Sequence, residues 1–250
     1  MKKILGIVAL GIAVVGAYTL IVPADAEMIM EPSSAEVIQE DVTASMEEEG
    51  ITDPEHAPPI ETEHESAIQI GSKAPDFELP NADGDMRRLS DILDRGPVVL
   101  SFYRGGWCPY CNDQLYAYQQ ILPEFMDLGA ELVAVSPETP QSAQDTAVKQ
   151  ELEYEVLSDE GNVVTRQYDL LWTVPEDKRA EFSEWLQGET GKTLAEFNGI
   201  NEYELPIPAT FVIAQDGTVV YVFKDEDYKK RADIDDILAA LENLNAHAPE

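Results

Sequence analysis

Two cysteines are the only thiols in this 250-residue chain, and they stand three positions apart in SFYRGGWCPYCNDQL (101–115). Cys108 and Cys111 are separated by Pro109 and Tyr110. Such a pair can be a structural staple, half of a metal site, or a redox couple. A disulfide stabilises chiefly by closing long loops, and a loop of about four residues gains well below the ~3 kcal/mol expected for fifteen. Zinc requires about four ligands, and the three histidines, His56, His64 and His247, all lie toward the ends of the chain. Their placement also argues against a Cys–His catalytic dyad. The redox couple is therefore favoured, with an inert disulfide and a metal site as the alternatives and no metal expected.

Chemistry at this spacing depends on the elements that hold it. GPVVLSFYR (96–104) is an unbroken β-branched and aromatic run of the buried-strand type. Beyond the Gly105-Gly106 pair, Leu115, Tyr118, Ile121, Leu122, Phe125 and Met126 recur at three- and four-residue steps, predicting one long helix that stops at Gly129. The cysteines thus fall where a strand hands over to a helix, which in an open α/β sheet is where reaction sites lie. Pro109 suits the first helical position, where its missing N–H costs nothing. Cys108 then occupies the N-cap, where unpaired N–H groups and the helix dipole favour thiolate over thiol. Cys111 follows on the same helix face. A nucleophile with a resolving neighbour is the minimum equipment for thiol–disulfide exchange.

The remaining pattern supplies a frame for that corner. ELVAVS reads as a strand, TPQSAQDTAVKQEL as a helix, and YEVLSD with GNVVTRQYDL as a short strand and helix. A polar helical stretch from Val174 to Phe197 and a loop follow. ATFVIA and TVVYVFK then flank Gln215-Asp216-Gly217 as a hairpin opened by Pro208, and DIDDILAALENLNA closes as a helix. The order predicts an α/β domain with a central mixed sheet and helices on both faces.

Upstream the chain changes character twice. Lys2 and Lys3 precede an apolar run from Ile4 to Val22, followed by Ala24-Asp25-Ala26. This is the layout of a bacterial signal peptide, or of an N-terminal anchor, since a span needs roughly 20 residues. Either version of 1–26 predicts an exported, periplasm-facing protein, in a compartment that permits disulfides. Residues 27–67 carry thirteen Asp/Glu and no Lys or Arg, the composition of a disordered acidic linker. From Ile68 to Glu250 there are 35 Asp/Glu against 14 Lys/Arg. That surface disfavours nucleic acid and anionic lipid as partners.

WCPYC after a buried strand resembles the thioredoxin superfamily, with the Pro-Tyr dipeptide of glutaredoxins. The wider context is more similar to the peroxiredoxin-like AhpC/TSA proteins of the RGGWCPYC type. GSKAPDFELPNADG, VVLSFYRGGWCPYCNDQL, VLSDEGNVVTRQYDL and ELPIPATFVIAQDGTVVYVFKDEDYKKR carry the likeness, over about residues 70–245. It implies a thioredoxin fold for 68–250, thiol redox chemistry without a cofactor, a Cys108–Cys111 disulfide, and a thioredoxin-type reductant or another electron donor. Ordinary peroxiredoxins carry P-x-x-x-T-x-x-C here and an Arg before the ATF strand. Ungapped, their Pro becomes Arg104, their Thr becomes Cys108, their attacking Cys becomes Cys111, and their Arg becomes Pro208. The residues that would polarise a peroxide are therefore different, and two replacements are what thioredoxins have. The resemblance implies a cis Pro208 lying against the CxxC. Thioredoxin precedent and the N-cap argument make Cys108 the nucleophile, whereas the peroxiredoxin register makes Cys111 the attacker. Arg104 is the nearest cation for a thiolate, or a solvated strand-end Arg. Trp107 would shield the pair and meet partner chains, or simply pack. Arg166 and Arg231 gain no chemical role.

Three functions compete at this point: a thiol peroxidase, a disulfide oxidoreductase acting on protein thiols, and a tethered acidic binding module with an incidental disulfide. The missing Thr and Arg weigh against the first, and the density of motifs weighs against the third.

Overall fold

The computed structural model describes residues 68–200 and 202–246. The expected signal or anchor (1–26), the acidic linker (27–67) and all three histidines lie outside them. No helix among the described residues is long and apolar enough to cross a membrane.

An N-terminal hairpin, β1 (Glu78–Pro80) and β2 (Met86–Arg88), leads into α1 (Leu89–Leu93) and β3 (Val98–Phe102). Next come α2 (Pro109–Gln120), α3 (Leu122–Asp127), β4 (Glu131–Ser136), α4 (Pro140–Lys149), β5 (Glu155–Ser158) and α5 (Val163–Gln167). The chain continues through β6 (Leu171–Thr173), α6 (Arg179–Thr190), α7 (Leu194–Asn198) and β7 (Glu204–Pro206). It ends with β8 (Ala209–Ile213), β9 (Val219–Lys224) and α8 (Ile234–Ala246).

The central sheet has the order β5-β4-β3-β8-β9. β3 and β4 run parallel, as do β4 and β5, while β8 is antiparallel to both β3 and β9. Side chains alternate across a strand, and the two faces sort accordingly. Val98, Leu100, Phe102, Val133, Val135, Phe211 and Ile213 pack with Leu89 and Ile92 of α1 and Val164 of α5. On the other face, Val99, Leu132 and Val212 pack with Tyr118 of α2, Phe125 of α3, and Ile237 and Leu241 of α8. The expected mixed sheet with helices on both faces is present. β3 is buried along its whole length, which is why it reads as an unbroken apolar run.

Three details depart from expectation. The single long helix after the cysteines is two, broken at Ile121, because Pro123 has no N–H for the ladder and crowds the carbonyl four residues back. β6 and β7 pair as a small antiparallel sheet that brackets the polar helical stretch, where a loop was expected. The peptide bond before Pro208 is trans, like every other described bond, and not cis. Pro208 lies inside an extended passage in which the Ile207 N–H bonds to the Leu170 carbonyl and Ala209 is already in register with Phe102. The ordinary trans preference of about 0.5–1 kcal/mol is met there without a turn.

Candidate active site

The handover from β3 to α2 is a tight loop that two glycines make possible. Gly105 has φ +143°, outside the range of other residues, and a Cβ there would stand 2.4 Å from Trp107 Nε1. A Cβ on Gly106 would stand 2.0 Å from the Thr146 hydroxyl. The Cys108 N–H closes the turn on the Gly105 carbonyl at 3.0 Å. Cys108 is the N-cap of α2 and Pro109 begins the helix, as the sequence indicated.

The expected consequence for Cys108 does not follow. Its sulfur accepts no capping hydrogen bond. Pro109 has no N–H to offer, and the Cys111 and Asn112 N–H groups turn onto the Cys108 carbonyl at 3.1 and 3.0 Å. Both cysteines are free thiols and both are buried, at 2 % exposure for Cys108 and 0 % for Cys111. Burial, with the hydrogen bond and charge of Cys111, pushes the Cys108 thiol well above its usual range. Burial also opposes ionisation of Cys111, but there it is outweighed. The Cys108 thiol, the Arg231 and Arg104 charges and the Arg104 backbone N–H bring Cys111 down to about 6. Arg231 Nη2 donates to Cys111 Sγ at 3.4 Å, and its Nη1 is held by the carbonyls of Tyr228 and Lys230. The thiolate of this pair thus sits on Cys111, with three donors aimed at one sulfur.

Arg104 is no solvated strand-end residue. It is 3 % exposed, and its guanidinium carbon lies 4.6 Å from the Tyr228 ring centroid, 5.4 Å from Trp107 and 5.5 Å from Trp172. It forms no ion pair among the described residues, and its Nη2 has no hydrogen-bond partner. Trp107 packs within the chain rather than facing outward, with ring centroids 5.5 Å from Phe182 and 6.1 Å from Trp185, both on α6. The polar stretch between β6 and β7 therefore has an apolar underside: Val174, Phe182, Leu186, Leu194 and Leu205 share one core cluster with Cys108 and Cys111. Pro208 is buried, and continuing the β3–β8 register by one position brings it alongside Tyr103, next to Arg104.

Two groups escaped the sequence reading. Arg231 comes to Cys111 across 120 positions, and no local pattern signals such a contact. Glu138 is fully buried beneath the loop, accepting from the Gly106 N–H at 3.0 Å, the Tyr103 hydroxyl at 3.0 Å, Ser136 at 3.2 Å and Thr146 at 3.3 Å. Burial raises its carboxyl to about 7 against those donors. A broad groove lined by Arg87, Tyr116, Met126 and Glu153 includes neither cysteine.

Residues 70–222 match the AhpC/TSA family model. A chloroplastic peroxiredoxin Q of Gentiana triflora is 30% identical over 176 residues, covering 70% of this chain and 68% of that protein. The peroxiredoxin Q of Oryza sativa subsp. japonica is 30% identical over 177 residues, covering 71% and 68%. Among solved structures, peroxidoxin BcpB of Mycobacterium tuberculosis is 26% identical with a TM-score of 0.54, covering 73% of this chain and 99% of that one. With a buried dithiol at the strand-to-helix corner and this kinship over most of the described domain, the chain belongs to the AhpC/TSA family and is a thiol-based oxidoreductase.

Proposed function

We propose that peroxide is the oxidant, that Cys111 attacks it, and that Cys108 resolves the product. The observation that carries this reading is the convergence of three donors on Cys111 Sγ while Cys108 keeps its proton. The Cys108 thiol, at the position where the resemblance places a peroxiredoxin's threonine, donates to the attacking sulfur. The Cys111 thiolate attacks one peroxide oxygen, the S–O bond forms as the O–O bond breaks, and the other oxygen leaves as hydroxide or alkoxide and is then protonated to water or alcohol. The Cys108 thiol then displaces hydroxide from the Cys111 sulfenic acid, giving the disulfide and water. Two electrons and two protons from a dithiol reductant of thioredoxin type restore the pair. The N-terminal pattern of Lys2-Lys3, apolar run and Ala24-Asp25-Ala26 supports export, with the domain working in the periplasm.

Stopped-flow mixing of the reduced protein with hydrogen peroxide tests the assignment. Cys111→Ser is expected to lose the fast phase. Cys108→Ser should keep the first turnover and stop at a sulfenic acid that dimedone traps. A fast phase lost in Cys108→Ser and kept in Cys111→Ser would reverse the roles. Reaction no faster than a free thiol, combined with rapid reduction of a protein disulfide, would replace the peroxidase with a disulfide oxidoreductase.

A further inference from the structure

The donors around Cys111 divide into two sets, and the second has nothing to bind. Arg231 Nη2, the Cys108 thiol and the Arg104 backbone N–H are spent on the sulfur. Arg104 Nη2, Trp107 Nε1 and Arg231 Nε are all buried and without an acceptor; of these, Arg104 Nη2 and Trp107 Nε1 belong to side chains that make no hydrogen bond to Cys111. Neither is a stray surface group. Arg104 is clamped among three rings, and the Trp107 ring is held by Phe182, by Trp185 and by the space that Gly105 leaves open. Leaving a buried donor unpaired costs on the order of 1–3 kcal/mol, more for a charged group. Trp107 shares a packed cluster with both cysteines and Cys111 feels the Arg104 charge, so idle donors on these two residues imply an acceptor that arrives during the reaction. Two guanidinium charges against one thiolate also leave one positive charge uncompensated in a site screened from water.

We infer that Arg104 Nη2 and Trp107 Nε1 are catalytic donors for the leaving oxygen of the peroxide, replacing the polarising residues this chain lacks. As the Cys111 S–O bond forms, the electron pair of the breaking O–O bond moves onto the distal oxygen, which departs as hydroxide or alkoxide and is then protonated by solvent. Donors that touch the thiolate lose interaction as charge leaves the sulfur. Donors idle in the ground state gain it, and only such a gain accelerates the step. The Arg231 and Arg104 charges together set how much thiolate exists, and the idle N–H groups, Arg104 Nη2 and Trp107 Nε1, set how fast it reacts.

This inference rests on the peroxidase reading, and the test separates the two. Trp107→Phe keeps a ring and removes the N–H; Arg104→Met removes the charge, with Arg104→Lys as the conservative variant. Each full-length variant, first checked for native near-UV circular dichroism, is mixed with hydrogen peroxide and, separately, with peracetic acid. Hydroxide is a poor leaving group that needs the donors, while acetate is a good one that does not. With hydrogen peroxide, Trp107→Phe is expected to be about 10-fold slower and Arg104→Met on the order of 100-fold slower. Rates are expressed per Cys111 thiolate, read from absorbance at 240 nm, because Arg104→Met also removes a charge that lowers Cys111. With peracetic acid both should then lie within about 3-fold of the parent, and Arg104→Lys should fall between parent and Met variant with hydrogen peroxide. Equal slowing with both oxidants, or none with either, would overturn the inference while leaving the peroxidase intact. A parent protein that reacts with neither oxidant would remove the peroxidase reading itself.

Discussion

Cys111 carries the site's electrostatics, and its behaviour is a sum of opposed effects. Burial alone would keep it protonated, yet a thiol, two guanidinium charges and a backbone N–H reverse that. For the reduced protein, thiolate absorbance at 240 nm should therefore titrate with a midpoint near 6 that disappears in Cys111→Ser. Arg231→Met removes both a donor and a charge and should move that midpoint upward. An unchanged midpoint would show that the 3.4 Å contact is not an interaction in solution. The second sulfur should stay protonated throughout, because ionising Cys108 would set two negative charges side by side in a dry pocket.

At the scale of elements, the loop from β3 to α2 is specified by what it omits. Gly105 holds a conformation closed to other residues and leaves the Trp107 indole its place, so Gly105→Ala meets both a strained φ and a 2.4 Å contact. The expected cost is about 1–3 kcal/mol, read from urea unfolding. It should come with altered near-UV circular dichroism as Trp107 shifts against Phe182 and Trp185. Unfolding curves that superimpose on the parent's would mean that the loop is not held as described. The segment from β6 to β7 matters for the same reason, since α6 supplies the surface on which Trp107 rests.

For the whole molecule, two buried acids should give the reduced protein opposite pH slopes. Glu138 titrates near 7 folded against an ordinary 4.5, so the fold favours its protonated form. Its contribution is complete below 4.5 and is lost as pH rises through 7, by roughly 3 kcal/mol in all. Cys111 works the other way. Its folded value near 6 lies below the ordinary 9.0, so its contribution is present above 9 and lost as pH falls through 6. Urea midpoints should thus fall between about pH 4.5 and 6, level off between 6 and 7 where the two effects cancel, and rise between 7 and 9. Glu138→Gln should flatten the first limb and Cys111→Ser the second. A parent and a Glu138→Gln variant with parallel profiles from pH 5 to 7 would contradict the burial of that carboxyl.

The architecture was legible in the sequence because it rests on local periodicities. The unbroken run 96–104 contains β3, buried on both faces, ATFVIA and TVVYVFK around Gln215-Asp216-Gly217 are the β8–β9 hairpin, and Pro109 begins α2 with Cys108 as its N-cap. The chemistry class was legible too, since two thiols three residues apart at a strand-to-helix corner meet whatever surrounds them. Which sulfur ionises was not. Ionisation follows distance and burial, and these were decided by an arginine 120 positions away, by a neighbour's thiol proton, and by helix N–H groups that turned to a carbonyl instead of a sulfur. Arg104 shows the same division: its number in the chain says only that it follows a strand, while the ring of nearby Trp107 and those of Trp172 and Tyr228 from distant segments make it a buried cation whose Nη2 has no hydrogen-bond partner. Sequence determines what is adjacent along the chain. The folded chain alone determines what is adjacent through space, and a charge responds to that second kind of neighbour.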